Sequence, residues 1–172
     1  MSENVFTTAF YVVLGIAVAT IVARRFFPQV WFWASLVGAL LGTVLGVLRF
    51  KLRFFETLEA GVFGLLPWLS IVFLADSVRT SRASSLIGFF FFLFLIGLFS
   101  FLDSKYKGFS WYKSGRVGFA GLVVVGFTFL VRTGLAVVFE DVLSLVGKGD
   151  AFLSGVVAFA AFLLLFNLAR SS

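Results

Sequence analysis

Six long apolar runs, separated by short and mostly basic connections, occupy nearly all of the chain: Val5–Ala23, Val30–Leu48, Thr57–Ala75, Ser84–Leu102, Val117–Phe139 and Ala151–Ala169. A bilayer's hydrocarbon core of about 30 Å takes roughly 20 apolar residues in a helix, so each run is predicted to be a transmembrane helix. Barrel strands are shorter and alternate polar with apolar positions, whereas Phe89–Phe92 and Leu122–Val125 are apolar at every position. A helix also satisfies its own backbone in lipid. The pattern therefore predicts an all-α, polytopic integral membrane helical bundle, one transmembrane domain over residues 1–172, with six transmembrane helices and five as the alternative count.

Composition agrees with a chain that has lipid for solvent. Of its 172 residues 61% are hydrophobic and only 13% charged, and the mean hydropathy is +1.11, which exceeds what a soluble domain of this size buries. The first run is expected to be a retained helix and not a secretion signal, because Glu3 precedes it and Arg24–Arg25 follow it. Counting cations by side, Arg49, Lys51, Arg53, Lys105, Lys107, Lys113, Arg116 and Arg170 share the side of the termini. Arg24, Arg25, Arg79, Arg82 and Lys148 lie opposite. The positive-inside rule then places both termini in the cytoplasm. The formal charge of +6 is spread over several connections, so the expected partner is membrane phospholipid of anionic type and not nucleic acid. Trp31 and Trp33 at the start of the second run, and Tyr106, Trp111 and Tyr112 in the fourth connection, are expected at the headgroup level. No internal repeat of the kind found in many transporters is visible.

The chain has no histidine and no cysteine, which removes the commonest general base, the commonest metal ligand and the thiol nucleophile. Neither a cofactor nor a metal is expected, and Glu140, Asp141 and Asp150 lack metal-binding order. Four features remain. Ala34, Gly38, Gly42 and Gly46 recur at every fourth position, a glycine zipper that packs a neighbouring helix within the chain, a second copy or a membrane partner; a narrow pore or a slot for a lipid chain is the sharper alternative. Arg53, Glu56 and Glu59 form an i, i+3 ladder at the mouth of the third run, with Glu59 inside apolar sequence. Arg132 lies about seven residues from the end of the fifth run, roughly 10 Å at helical rise. It snorkels, pairs with Glu59 or Glu140, or binds an anionic headgroup. Glu56, Glu59 and Arg132 are accordingly the candidates for any catalysis. Lys105, Lys107, Lys113 and Arg116, interleaved with aromatic residues, are the candidate lipid headgroup ligands. Gly115–Arg116–Val117–Gly118 is no phosphate loop, since no strand precedes it and the Walker lysine is missing.

Phe55–Glu56–Thr57–Leu58–Glu59–Ala60–Gly61, then Arg79–Arg82, then Gly88 through Phe94–Leu95–Ile96–Gly97 resemble the C-terminal portion of prolipoprotein diacylglyceryl transferase. That bacterial membrane enzyme moves diacylglycerol from phosphatidylglycerol to a lipoprotein cysteine. The resemblance covers about residues 53–103 and puts Glu56 in the place of the family glutamate, with Phe55 replacing its tyrosine. The family's catalytic histidine and its final-helix arginine have no counterpart. What the resemblance implies is a shared lipid-handling scaffold in a prokaryotic plasma membrane, without the same reaction. The expected function is thus binding or handling of phospholipid. The alternatives are an enzyme on the same scaffold, a small-solute or ion transporter or channel, and a structural subunit of a membrane complex.

Overall fold

The computed structural model describes residues 2–27, 30–51, 53–81, 83–110, 112, 114, 117–138 and 147–170. Among them are six long helices and no strand: α1 (Ser2–Phe26), α2 (Trp31–Phe50), α3 (Phe54–Thr80), α4 (Ala83–Lys105), α5 (Phe119–Val138) and α6 (Gly147–Arg170). Each coincides with one of the six apolar runs, α2 beginning one residue and α5 two residues inside its run. Five segments, Phe32–Phe50, Phe54–Thr80, Ala83–Gly108, Phe119–Val137 and Gly149–Arg170, are long and apolar enough to cross a membrane. Most helices extend two to five residues past the apolar runs, because their end turns carry the polar and basic residues that hydropathy trims. Lys105 closes α4 and Asp150 stands in the first turn of α6.

Two helices stop at a residue in the left-handed conformation, Lys51 after α2 and Ser81 after α3, each with φ 52°. Ser81 N–H returns to the Ser77 carbonyl at 2.8 Å, a helix-end arrangement usually given to glycine. Pro67 lies inside α3. With no N–H, it leaves the Phe63 carbonyl without its intrahelical donor.

The chain divides into two compact units. The first comprises Met1–Gly61 and Arg132–Ser154. In it α1 and α2 pack antiparallel along small residues. A Cβ on Gly38 would come within 2.7 Å of the Ala19 Cβ and 2.8 Å of the Gly15 carbonyl carbon. One on Gly42 would come within 2.5 Å of the Tyr11 carbonyl oxygen and 2.7 Å of the Val12 Cα. The contact is backbone to backbone, which only glycine permits. Thr20 and Ser35 share a hydroxyl hydrogen bond of 2.7 Å across the same pair. The zipper face of α2 is therefore covered by α1 of the same chain. Gly38, Gly42 and Gly46 are buried and Ala34 is half-buried.

The second unit comprises Val62–Val131 and Gly155–Ser172 and is built on phenylalanine. Phe73 stacks on Phe92 at 5.4 Å, and Phe63 meets Phe99 at 5.4 Å. Phe91 and Phe94 flank Phe127 at 6.4 and 6.3 Å. Glycine makes room here too: a Cβ on Gly126 would lie 2.9 Å from the Phe162 ring. The α3–α4 corner is tied by the Ser85 hydroxyl, which donates to the Asp76 carboxylate.

Candidate functional site

Arg132, the costliest residue to hold within a span, is answered by Asp150. Its Nη2 donates to Asp150 Oδ2 at 2.8 Å, and both residues are buried, at 8% and 2% relative exposure. Three helical segments of the first unit build this cluster. The first turn of α2 supplies Phe32 and Trp33, α5 supplies Arg132, and the first turn of α6 supplies Asp150. Asp150 stands where the positive end of the α6 dipole favours an anion. Trp33 Nε1–H donates to Asp150 Oδ1, so the two carboxylate oxygens take one donor each. The Arg132 guanidinium lies 3.7 Å from the Phe32 ring centroid and 5.8 Å from that of Trp33, the arrangement in which an aromatic face attracts a cation. One turn beyond Asp150, on the same α6 face, Ser154 is fully buried. The Arg132 Nε and the Ser154 Oγ are buried with no hydrogen-bond partner among the described residues.

This pairing corrects the sequence reading of three residues. Among the described residues Arg132 pairs with Asp150 and not with Glu59. Glu59 enters on α3 after the opposite end of α2 from Phe32 and Trp33, and Glu140 lies outside the described residues. Asp150 belongs to a helix, since a charge neutralised from within does not end a span. Trp33 is half-buried with its indole N–H committed to Asp150, and so does more than anchor at the headgroups. The carboxylate ladder is also divided: Arg53 Nη1 meets Glu56 Oε1 at 3.3 Å on the surface, whereas Glu59 is buried. An exposed pair of this kind contributes little, because water screens it. Among the described residues no group of carboxylates is arranged to hold a metal ion.

The described part of the basic connection after α4 is folded. A 3-10 turn, Tyr106–Gly108, is followed by hydrogen bonds from Phe109 N–H to the Tyr106 carbonyl at 3.2 Å and from Tyr112 N–H to the Phe109 carbonyl at 3.0 Å. Tyr106 and Tyr112 are buried at 4% and 2% exposure and close on Phe119 at 6.0 and 4.7 Å. Beyond the headgroup-level anchoring expected of them, the α5 ring gives both tyrosines an aromatic neighbour within the chain. Gly118, with φ 117°, makes the turn into α5 that brings Phe119 under them. Lys105 and Lys107 stay exposed, the latter with its Nζ 5.7 Å from the Tyr106 ring centroid. Lys113 and Arg116 lie outside the described residues.

Fold and site together define a polytopic α-helical integral membrane protein. No protein-family model, curated protein or solved structure matches the chain.

Proposed function

We propose that the protein binds or handles anionic phospholipid from the side of the membrane that carries its termini. The observation that supports this most directly is the connection after α4. There the exposed cations Lys105 and Lys107 stand on a packed base of Tyr106, Tyr112 and Phe119. The packed turn fixes where these side chains leave the backbone, and each cation contributes about 1 kcal/mol near an anionic surface. Lys113 and Arg116 follow in sequence and add to the same charge. On this reading the termini are cytoplasmic, the membrane is a prokaryotic plasma membrane, and the chain is a distant, non-catalytic relative of the diacylglyceryl transferase scaffold. Arg132 takes no part in headgroup binding, because Asp150 already neutralises it.

The full chain extracted into lipid nanodiscs tests this by mass spectrometry of the co-purified lipid. Enrichment of anionic over zwitterionic phospholipid is expected. Lys105→Gln and Lys107→Gln should each reduce it about fivefold, the equivalent of ~1 kcal/mol, while Arg132→Gln leaves it unchanged. Absence of enrichment in the parent protein, or enrichment that survives the double lysine change, defeats the proposal.

A further inference from the structure

We infer that Asp150, Phe32, Trp33 and Ser154 form a recognition site for a small guanidinium or primary ammonium ion, and that Arg132 is its tethered, exchangeable occupant. The site has the parts such a cation needs. A buried carboxylate is oriented by the Trp33 indole N–H. The Phe32 ring lies 3.7 Å from the occupant's central carbon and the Trp33 ring lies farther off at 5.8 Å, so the cation is held from one side by charge and from another by an aromatic face. A hydroxyl, Ser154 Oγ, stands buried one turn away on the carboxylate's own helix.

The tether makes Arg132 an incomplete fit. Its Nη2 reaches Asp150, yet its Nε and the Ser154 Oγ both remain buried without a hydrogen-bond partner among the described residues. Buried polar atoms left in that condition destabilise the bound arrangement, which lowers the cost of releasing the arginine. A free cation carrying N–H donors is not bound by the tether and can meet both the carboxylate and the hydroxyl. The displaced guanidinium has somewhere to go. Arg132 is six residues from Val138 at the end of α5, about 9 Å at helical rise, and a long basic side chain crosses much of that distance to reach the interface. Exchange keeps one cation beside Asp150 throughout.

The experiment uses the full chain in detergent with Trp31, Trp68 and Trp111 changed to Phe, so that Trp33 alone reports. Methylguanidinium chloride is titrated at millimolar levels against matched potassium chloride. In the parent background a saturable change in Trp33 fluorescence is expected, and Asp150→Asn should abolish it. Arg132→Ala removes the competitor, and half-saturation should then fall at least about tenfold, the equivalent of ~1.4 kcal/mol. A Trp33 response no larger than that to potassium chloride, or one that persists in Asp150→Asn, overturns the inference; so does an Arg132→Ala protein with unchanged half-saturation. If Arg132→Ala does not fold, the parent and Asp150→Asn titrations decide, the latter on protein whose helical circular dichroism matches the parent's. A response lost there supports exchange; no response in the parent, a response retained in Asp150→Asn, or one that potassium chloride gives at the same half-saturation in a folded Asp150→Glu control, refutes it.

Discussion

The Arg132–Asp150 pair predicts a particular pattern of stability loss. Arg132→Met keeps the volume and apolar stem of the side chain but leaves the Asp150 carboxylate, 2% exposed, without its cation. Asp150→Asn leaves the guanidinium, 8% exposed, without its anion. For charges whose contacting atoms are 2.8 Å apart, with centres about 4 Å apart, an effective dielectric near 20 gives about 4 kcal/mol of attraction. That agrees with the ~3–5 kcal/mol usually lost when one partner of a buried pair is removed. Either single change is therefore expected to cost about 3–5 kcal/mol. The double change Arg132→Met/Asp150→Leu removes both charges together, and should cost no more than either single change. The measurement is a double-mutant cycle of reversible unfolding in mixed detergent micelles, followed by helical circular dichroism. Single changes costing below about 1 kcal/mol would mean that the pair is wet and screened. A double change costing the sum of the singles, about 6–10 kcal/mol, would mean that the two residues act independently. Either result would refute the reading of Arg132 as held by Asp150.

The packing makes three further predictions. Gly42→Ala sets a methyl 2.5 Å from the Tyr11 carbonyl oxygen and should lower stability by about 1–3 kcal/mol; Gly61→Ala and Gly64→Ala, where a Cβ meets nothing within 4 Å, should not, and parallel thermal melts separate the two classes. Ser81→Gly relieves a left-handed residue at the end of α3 and should raise stability by about 1 kcal/mol in the same unfolding assay. Phe119→Ala removes the ring that Tyr106, Phe109 and Tyr112 share; it should cost about 3–5 kcal/mol and weaken the tyrosine signal in near-ultraviolet circular dichroism.

The helices were legible in the sequence because bilayer thickness sets the length of an apolar run, and the Phe- and Val-rich stretches declare that length without reference to any partner. Their ends were less legible. Asp150 read as part of a connection because hydropathy counts a charge at full cost, and only Arg132, 18 residues away, removes that cost. Trp33 is 117 residues from the carboxylate it bonds, and no local pattern carries a separation of that kind. The zipper was visible as a period of four in α2, but its covering surface was not identified, although Gly15, Ala19 and Ala23 in α1 repeat the same spacing. The packing of Tyr106 and Tyr112 was hidden for a different reason: an amphipathic ring suits a headgroup layer and an aromatic cluster equally well, and the turn at Gly118 that brings Phe119 under them has no local signal.

The two kinds of cation in this chain have different consequences because of where their counter-charges lie. Arg132 has an internal counter-ion, so its cluster is neutral as a whole, adds no field at the membrane surface and draws no anionic headgroup to itself. Its charge serves to hold the first-unit parts of α2, α5 and α6 together, in a solvent where apolar side chains gain nothing by leaving lipid for one another. On the proposed reading the exposed Lys105, the last residue of α4, and Lys107, in the turn after it, put their field in the headgroup layer, where salt screens it over about 8–10 Å. Anionic-lipid enrichment carried by these lysines should therefore fall as ionic strength rises, whereas the stability supplied by Arg132 and Asp150 should change little over the same range. If enrichment and stability fell together with salt, the division between a screened surface site and a buried lock would be wrong.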